Sequence, residues 1–364
     1  MAVQCGIIGL PNVGKSTIFN ALTQADAQVA NYPFCTVDPN VGIVDVPDKR
    51  MNFLTNLYHP KKRTPANMAF VDIAGLVAGA SKGEGLGNQF LSHIREVDAL
   101  VHIVRCFDDP EIVHVNGSVD PVRDVELIST ELILKDLETL EKRLTKIGKQ
   151  AKSGAKEAIT EKDFLIRLQE CLSQEKPVRI LQLSEKEAPL MEELRLLTWK
   201  PVLYVANVPE EDIEKGNAYS HQLMALAKEE ETVCLVISGQ IESEIAALSE
   251  EESALFLKDL GLEETGLARL VRASYQMLGL ITFFTVGEDE VKGWTIHKET
   301  SAVEAAGKIH SDIARGFIRA ETFGYQDLAA QGNAQAIKEK GLLRLEGKDY
   351  RVNDGDCIYF RFNV

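Results

Sequence analysis

The sequence predicts an α/β chain: a mostly parallel sheet with helices on both faces, an inserted antiparallel helical hairpin, and a small α+β module in the C-terminal part. Three observations carry this. Short apolar runs alternate with helix-length connections, a stretch of three- and four-residue apolar spacing interrupts them, and the pattern turns to β after Gly279.

The apolar runs are QCGIIGL (4–10), NMAFVDIAG (67–75), ALVHIVRC (99–106), PVLYVAN (201–207) and TVCLVIS (232–238). Near-continuous apolar strands joined by helix-length connections mark a parallel sheet covered on both faces. VGIVDVP (41–47) predicts one more strand, with an antiparallel edge as one option. Between residues 107 and 200 the pattern changes. Leu137, Leu140, Leu144 and Ile147 follow helical spacing, and Phe164, Leu168, Cys171 and Leu172 resume it after KQAKSGAKEA, which predicts a hairpin of two helices. After Gly279 come LITFFTVG, GWTIH, a helix opened by the capping box Ser301-Ala302-Val303-Glu304, then GLLRLEG and DCIYFRFNV. The expected domains are residues 1–128 with 199–277, the hairpin 129–198, and 278–364.

Composition narrows the partners. A net charge of −15 over 364 residues argues against nonspecific attraction to nucleic acid or membrane over the whole surface, so any such contact is local. The start MAVQCGIIGL has no leader pattern, and no apolar run approaches the roughly 20 residues a spanning helix needs, so a soluble, cytoplasmic protein with no membrane partner is expected. Six cysteines lie far apart without a C-x-x-C pair and read as reduced thiols; Cys35, beside Thr36 in a segment expected to be mobile, leaves a redox role open. One basic cluster stands out. Residues 142–156 carry Lys142, Arg143, Lys146, Lys149, Lys152 and Lys156 with no acid among them, which reads either as a solvated helix face or as an arm that reaches phosphate backbone.

GLPNVGKST (9–17) fits G-x-x-x-x-G-K-[ST], with Gly9, Gly14, Lys15 and Ser16 at the fixed positions. It follows an apolar strand and precedes an amphipathic helix, the arrangement that aims backbone N–H groups at phosphate oxygens. The roles follow from charge. Amides of Asn12, Val13, Gly14, Lys15, Ser16 and Thr17 cradle the phosphates, Lys15 neutralises the β and γ groups, and the Ser16 hydroxyl coordinates Mg²⁺. Thr36 is placed to supply a second metal oxygen, Asp72 to hold a metal-bound water, and Gly75 to offer its N–H to the γ-phosphate.

GLPNVGKST, the YPFCT loop, DIAGLV and GEGLGNQFL together resemble the Obg-type branch of the translation-factor-related P-loop GTPases. With Asn207-Val208-Pro209-Glu210, the hairpin and the C-terminal module, the chain is similar to the YchF family, also called Obg-like ATPases, over nearly its whole length. The resemblance implies a P-loop NTPase fold with a C-terminal TGS domain of β-grasp type. It also implies association with the ribosome, as the large subunit or 70S particle. A monomer is expected.

Guanine-selective relatives carry N-K-x-D where this chain has Asn207-Val208-Pro209-Glu210. Glu210 is one methylene longer than aspartate, and Val208 lacks the lysine stem that lies along the base. Asn207 can serve adenine through its amide, with backbone groups near Val208 reading the base edge and Ser238 and Gly239 forming the pocket floor. The resemblance implies ATP over GTP; a GTPase with a degenerate specificity loop is the alternative. Leu76 stands where a glutamine orients water in Ras-like enzymes, so hydrolysis borrows another group or stays slow. His114, in a Gly- and Pro-punctuated loop, reads from spacing alone as a surface histidine, while the resemblance implies the water-orienting residue.

Asn12 is a candidate K⁺ ligand, because some relatives use an asparagine there. The expected protein is a slow, Mg²⁺-dependent ATPase. Its loops around Thr36 and Gly83 to Gly87 switch the docking of hairpin and TGS domain on the ribosome. Arg344, Lys348, Arg351 and Arg361 of that domain face either RNA or solvent. A nucleotide-gated adaptor with incidental turnover is the rival from another class.

Overall fold

The computed structural model describes residues 3–24, 40–74, 86–151 and 155–363. Thr36, Gly75, Leu76, Cys35, Lys152 and the glycines 83 and 85 lie outside them, and so do the roles expected of these residues. Along the chain come β1 (Gln4–Ile8), α1 (Lys15–Gln24), β2 (Val41–Asp45), α2 (Lys49–Tyr58), β3 (Lys62–Thr64), β4 (Asn67–Asp72), α3 (Leu86–Glu96) and β5 (Ala99–Arg105). Then follow α4 (Pro121–Ala151), α5 (Lys156–Ser173), α6 (Ala188–Leu194), β6 (Val202–Asn207), α7 (Ala218–Glu229), β7 (Cys234–Ile237), α8 (Gly239–Ala246), α9 (Glu250–Asp259) and α10 (Gly266–Met277). The last are β8 (Leu280–Thr285), β9 (Glu290–His297), α11 (Ala302–Ile309), α12 (Ser311–Arg315), β10 (Phe317–Gly324), α13 (Tyr325–Gln331), α14 (Ala334–Glu339), β11 (Arg344–Glu346) and β12 (Asp356–Phe362).

The chain forms two compact units, 1–42 with 69–269 and 43–68 with 270–364. The first holds a sheet in the order β2-β4-β1-β5-β6-β7. The pairs β1–β4, β1–β5, β5–β6 and β6–β7 are parallel, as the apolar runs predict, and β2 takes an edge. Every residue of β5 and of β6 is buried, which is why those runs show no alternation. Because the strands are parallel, the segments after β1, β4, β5, β6 and β7 all emerge at their carboxyl ends, where open α/β sheets bind ligands.

The hairpin begins earlier than its sequence pattern suggests. Pro121 occupies the first helical position of α4, and the Asp120 carboxylate accepts from the Arg123 N–H at 3.1 Å, a cap for the first turn. Val125 and Ile128 are buried before the long apolar stripe starts. Further along, Leu140, Ile147, Phe164, Leu165, Leu168 and Leu172 form one core between α4 and α5. Asp136 anchors the return of the chain: its buried carboxylate accepts from the N–H groups of Leu197 and Thr198 and from the Thr198 hydroxyl, at 2.9, 2.8 and 2.7 Å. Burial pushes this carboxyl up, and the three bonds oppose that shift. Leu140 is fully buried in the hairpin core, so Leu140→Ala is expected to cost about 2–5 kcal/mol in urea unfolding. Nucleotide affinity measured on the same protein should stay within about twofold, since the cavity it leaves lies in the hairpin.

In the second unit the sheet order is β11-β10-β12-β8-β9-β3. β8–β9 and β10–β12 are antiparallel pairs joined through parallel β8–β12, with α11 in the same core as Ile281, Phe283, Ile296 and Ile358. The expected capping box is present: the Ser301 side chain accepts from the Glu304 N–H, and the Glu304 carboxylate accepts from the Ser301 N–H at 2.8 Å. Between β2 and β4, α2 and β3 group here rather than with the first unit, an assignment the sequence pattern did not anticipate. Met51 and Leu54 of α2 share a core with Phe284, Val291, Phe323 and Cys357, and β3 extends the sheet beside β9.

Candidate nucleotide-binding site

The loop between β1 and α1 is shaped by two left-handed residues, Asn12 at φ 62° and Gly14 at φ 88°. A Cβ on Gly14 would overlap the amide nitrogen of Asn207, and one on Gly9 would fall 2.7 Å from the Ile103 carbonyl oxygen. Glycine is required at both positions by close approach, and at Gly14 also by backbone angle. Val13 is buried, while Ser16 and Thr17 stand exposed at the first turn of α1. The helix N-terminus and its free N–H groups make an anion site. Lys15 Nζ donates to Asp72 Oδ1 at the end of β4, so the two residues expected at phosphate and metal are brought together.

Asn207 ends β6 and is 5 % exposed. Its Nδ2 donates to the Val13 carbonyl at 2.9 Å, and its Oδ1 accepts from the Gly239 N–H at 2.9 Å. One amide therefore ties the phosphate loop to the start of α8. One N–H and one oxygen lone pair remain for a ligand. Val208 is buried, with its N–H given to the Ile237 carbonyl at 2.9 Å. Ser238 is fully buried, and its hydroxyl has no partner among the described residues.

A cavity of about 700 Å³ lies over these residues. Asn12, Gly14 and Thr17 line one side, and Asn207, Val208, Ser238 and Gly239 line the other. Glu210, counted with Asn207 and Val208 among the nucleotide-binding residues, does not line it, and its longer side chain is not placed where the aspartate of N-K-x-D grips guanine. Pro209 carries the backbone away in an extended conformation, Glu210 opens a 3-10 turn through Asp212 with its side chain exposed, and Ile213 is then buried against Ile241 and Ile245. That packing decides where the carboxylate goes.

Sequence reasoning missed the wall made by Phe107, Asp108, Asp109 and Ile112. Its organiser is Arg105, 2 % exposed at the end of β5, whose guanidinium donates to the carbonyls of Phe107, Ile112 and Asp109 at 3.0, 2.9 and 3.3 Å. The signal was available: a charged residue closing an apolar strand must spend its donors nearby. Asn12 Nδ2 donates to the Val113 carbonyl at 3.1 Å, which ties this loop to the phosphate loop. His114 does not face the cavity. Its Nε2 lies 2.8 Å from Asp124 Oδ2, and its Nδ1 accepts from the Asn116 N–H at 3.1 Å, which places the ring proton on Nε2.

In both basic patches the arginines named bond to other parts of the chain. Arg143 of the hairpin donates to Glu161 at 2.5 Å and to Glu193 at 2.9 Å, whereas Lys142, Lys146, Lys149 and Lys156 are exposed. In the second unit Arg361 pairs with Glu321 at 2.9 Å, Arg344 lies 3.3 Å from Asp356, and Arg351 donates to the Glu299 carbonyl. The acids came from other elements, which a linear reading does not bring together. Among the described residues, no helix is long and apolar enough to cross a membrane, and none of the five cysteines forms a disulfide.

Comparison with known proteins agrees with this geometry. Residues 4–135 match the family model MMR_HSR1, described as 50S ribosome-binding GTPase, and residues 280–363 match YchF-GTPase_C, described as a protein of unknown function (DUF933). The chain is 49 % identical over 367 residues to a protein of Escherichia coli O157:H7 named ribosome-binding ATPase YchF, covering all of both chains. It is similar in fold to a solved Schizosaccharomyces pombe protein titled YchF GTPase, with a TM-score of 0.90 and 38 % identity over 99 % of this chain and 98 % of that one. A Bacillus subtilis protein, again named ribosome-binding ATPase YchF, is 55 % identical over 366 residues and the full length of both. Identity of that order, from the phosphate loop to the last strand, means that this chain belongs to the YchF family.

Proposed function

We propose that the chain is a slow, Mg²⁺-dependent ATPase that prefers ATP to GTP, binds the ribosome, and acts as a cytoplasmic, monomeric switch. The observation that carries the base preference is the use of the Gly239 N–H. It is spent on Asn207 Oδ1, which leaves no donor there for guanine O6. The second lone pair of that oxygen suits the amino group of adenine, and the second Nδ2 hydrogen suits N7. With Glu210 outside the cavity, no carboxylate from this turn meets the guanine amino edge. Ribosome binding is supported by full-length similarity to the ribosome-binding ATPases of Bacillus subtilis and Escherichia coli.

Mg²⁺ fits the oxygen donors present. The Asp72 carboxylate already holds a cation, the Lys15 ammonium, and the Ser16 hydroxyl stands exposed at the helix start. These two, with Thr36 and the N–H of Gly75, are the proposed metal and γ-phosphate ligands, and bound Mg²⁺ would neutralise charge on the β and γ oxygens. Asn12 Oδ1, which has no bond among the described residues, is the proposed K⁺ ligand. His114 is the proposed water-orienting residue. The exposed lysines of the hairpin, rather than Arg143, are the proposed RNA contacts.

Titration with ATP and with GTP tests the reading. ATP is expected to bind at least about tenfold tighter, the worth of one good hydrogen-bond pair. Tighter GTP would favour the alternative, a GTPase with a degenerate specificity loop. In hydrolysis assays, His114→Ala should lose about 10²-fold in kcat with ATP affinity retained, within the range of a lost proton-handling group.

A further inference from the structure

We propose that Asp124 is a positioning residue that keeps His114 out of the nucleotide cavity, so that hydrolysis waits on the opening of one buried bond; this rests on the reading of His114 given above. The loop around His114 is turned against its own polarity. The histidine is 7 % exposed, while its neighbours Val113 and Val115 are 73 % and 50 % exposed. Burying a polar ring and leaving two apolar side chains in water are each unfavourable. Something must hold the ring in.

The Asp124 carboxylate does so. It accepts from His114 Nε2 at 2.8 Å, and its side chain is 2 % exposed. Its other oxygen accepts from Arg123 Nη2 at 3.3 Å, with Asn116 Nδ2 at 3.5 Å, so the acceptor is itself fixed. The bond lies in the first turn of α4, the helix that continues into the hairpin. One residue before the ring, the Val113 carbonyl is held by Asn12 of the phosphate loop. His114 is thus linked on one side to the loop that would receive phosphate, and on the other to the helix of the arm. When the Asp124 bond opens, the ring is free to face the cavity on the Asn12 side, and Val115 is free to turn inward.

The test removes the charge and keeps the shape. Asp124→Asn should raise kcat for ATP hydrolysis about fivefold, the factor separating a charge-assisted from a neutral hydrogen bond, with KM unchanged. Asp124→Glu, which retains the carboxylate, should stay within about twofold of the parent protein. The double variant Asp124→Asn with His114→Ala should hydrolyse no faster than His114→Ala alone, since the gain acts through the ring. A kcat equal to or below the parent's in Asp124→Asn, while His114→Ala is inactive, overturns the proposal and leaves the role of His114 standing. Full activity in His114→Ala overturns both. If Asp124→Asn does not fold, Val115→Ser at its exposed position decides. Slower hydrolysis supports the proposal, because the inward turn no longer gains apolar burial, and an unchanged rate overturns it.

Discussion

Replacing Gly14 with alanine is expected to weaken ATP binding at least about a hundredfold. An L-residue at φ 88° carries about 1–2 kcal/mol of backbone strain. The added Cβ also overlaps the Asn207 amide nitrogen and pushes that side chain off Val13, forfeiting about 1 kcal/mol for the bond and more for the groups left unpaired. Together these approach the roughly 3 kcal/mol that a hundredfold change requires. Isothermal titration of purified Gly14→Ala with Mg-ATP measures it. An affinity within threefold of the parent would show that the loop is not held by the contact described.

The second large effect falls on Asn207. Asn207→Ala removes the donor to the Val13 carbonyl and the acceptor of the Gly239 N–H, in a position almost closed to water, so two backbone groups lose their partners. The expected cost is about 2–4 kcal/mol in nucleotide affinity, or roughly thirty- to a thousandfold. Asn207→Asp discriminates the mechanism. It keeps an acceptor for Gly239 but faces a carboxylate oxygen toward the Val13 carbonyl, so it should bind ATP as poorly as the alanine variant. Near-normal binding by the aspartate would mean that the Val13 bond is dispensable and the amide acts through Gly239 alone.

Much of the molecule could be read in one dimension because its signals are periodic or local. The five apolar strands, the hairpin stripe through Leu140 and Leu168, the Ser301 capping box and the phosphate loop each declare themselves within a few residues. The grouping of α2 and β3 with the C-terminal unit could not be read this way. Met51 and Leu54 look like any amphipathic helix until Phe284 and Phe323 are placed beside them. Arg143 and Arg361 likewise read as free cations until Glu161 and Glu321 arrive from neighbouring elements.

The sequence by itself determined that this chain builds a parallel sheet with a phosphate loop at its carboxyl edge, since backbone periodicity and glycine placement are properties of contiguous residues. Only the tertiary structure decided which side chains meet the ligand. It turned Glu210 out through the packing of Ile213, brought the Asn207 amide between Val13 and Gly239, drew a wall over the cavity with Arg105, and paired His114 with Asp124. Each of these outcomes depends on which partner reaches a polar group first when water is excluded, and that competition is settled between segments distant in the chain.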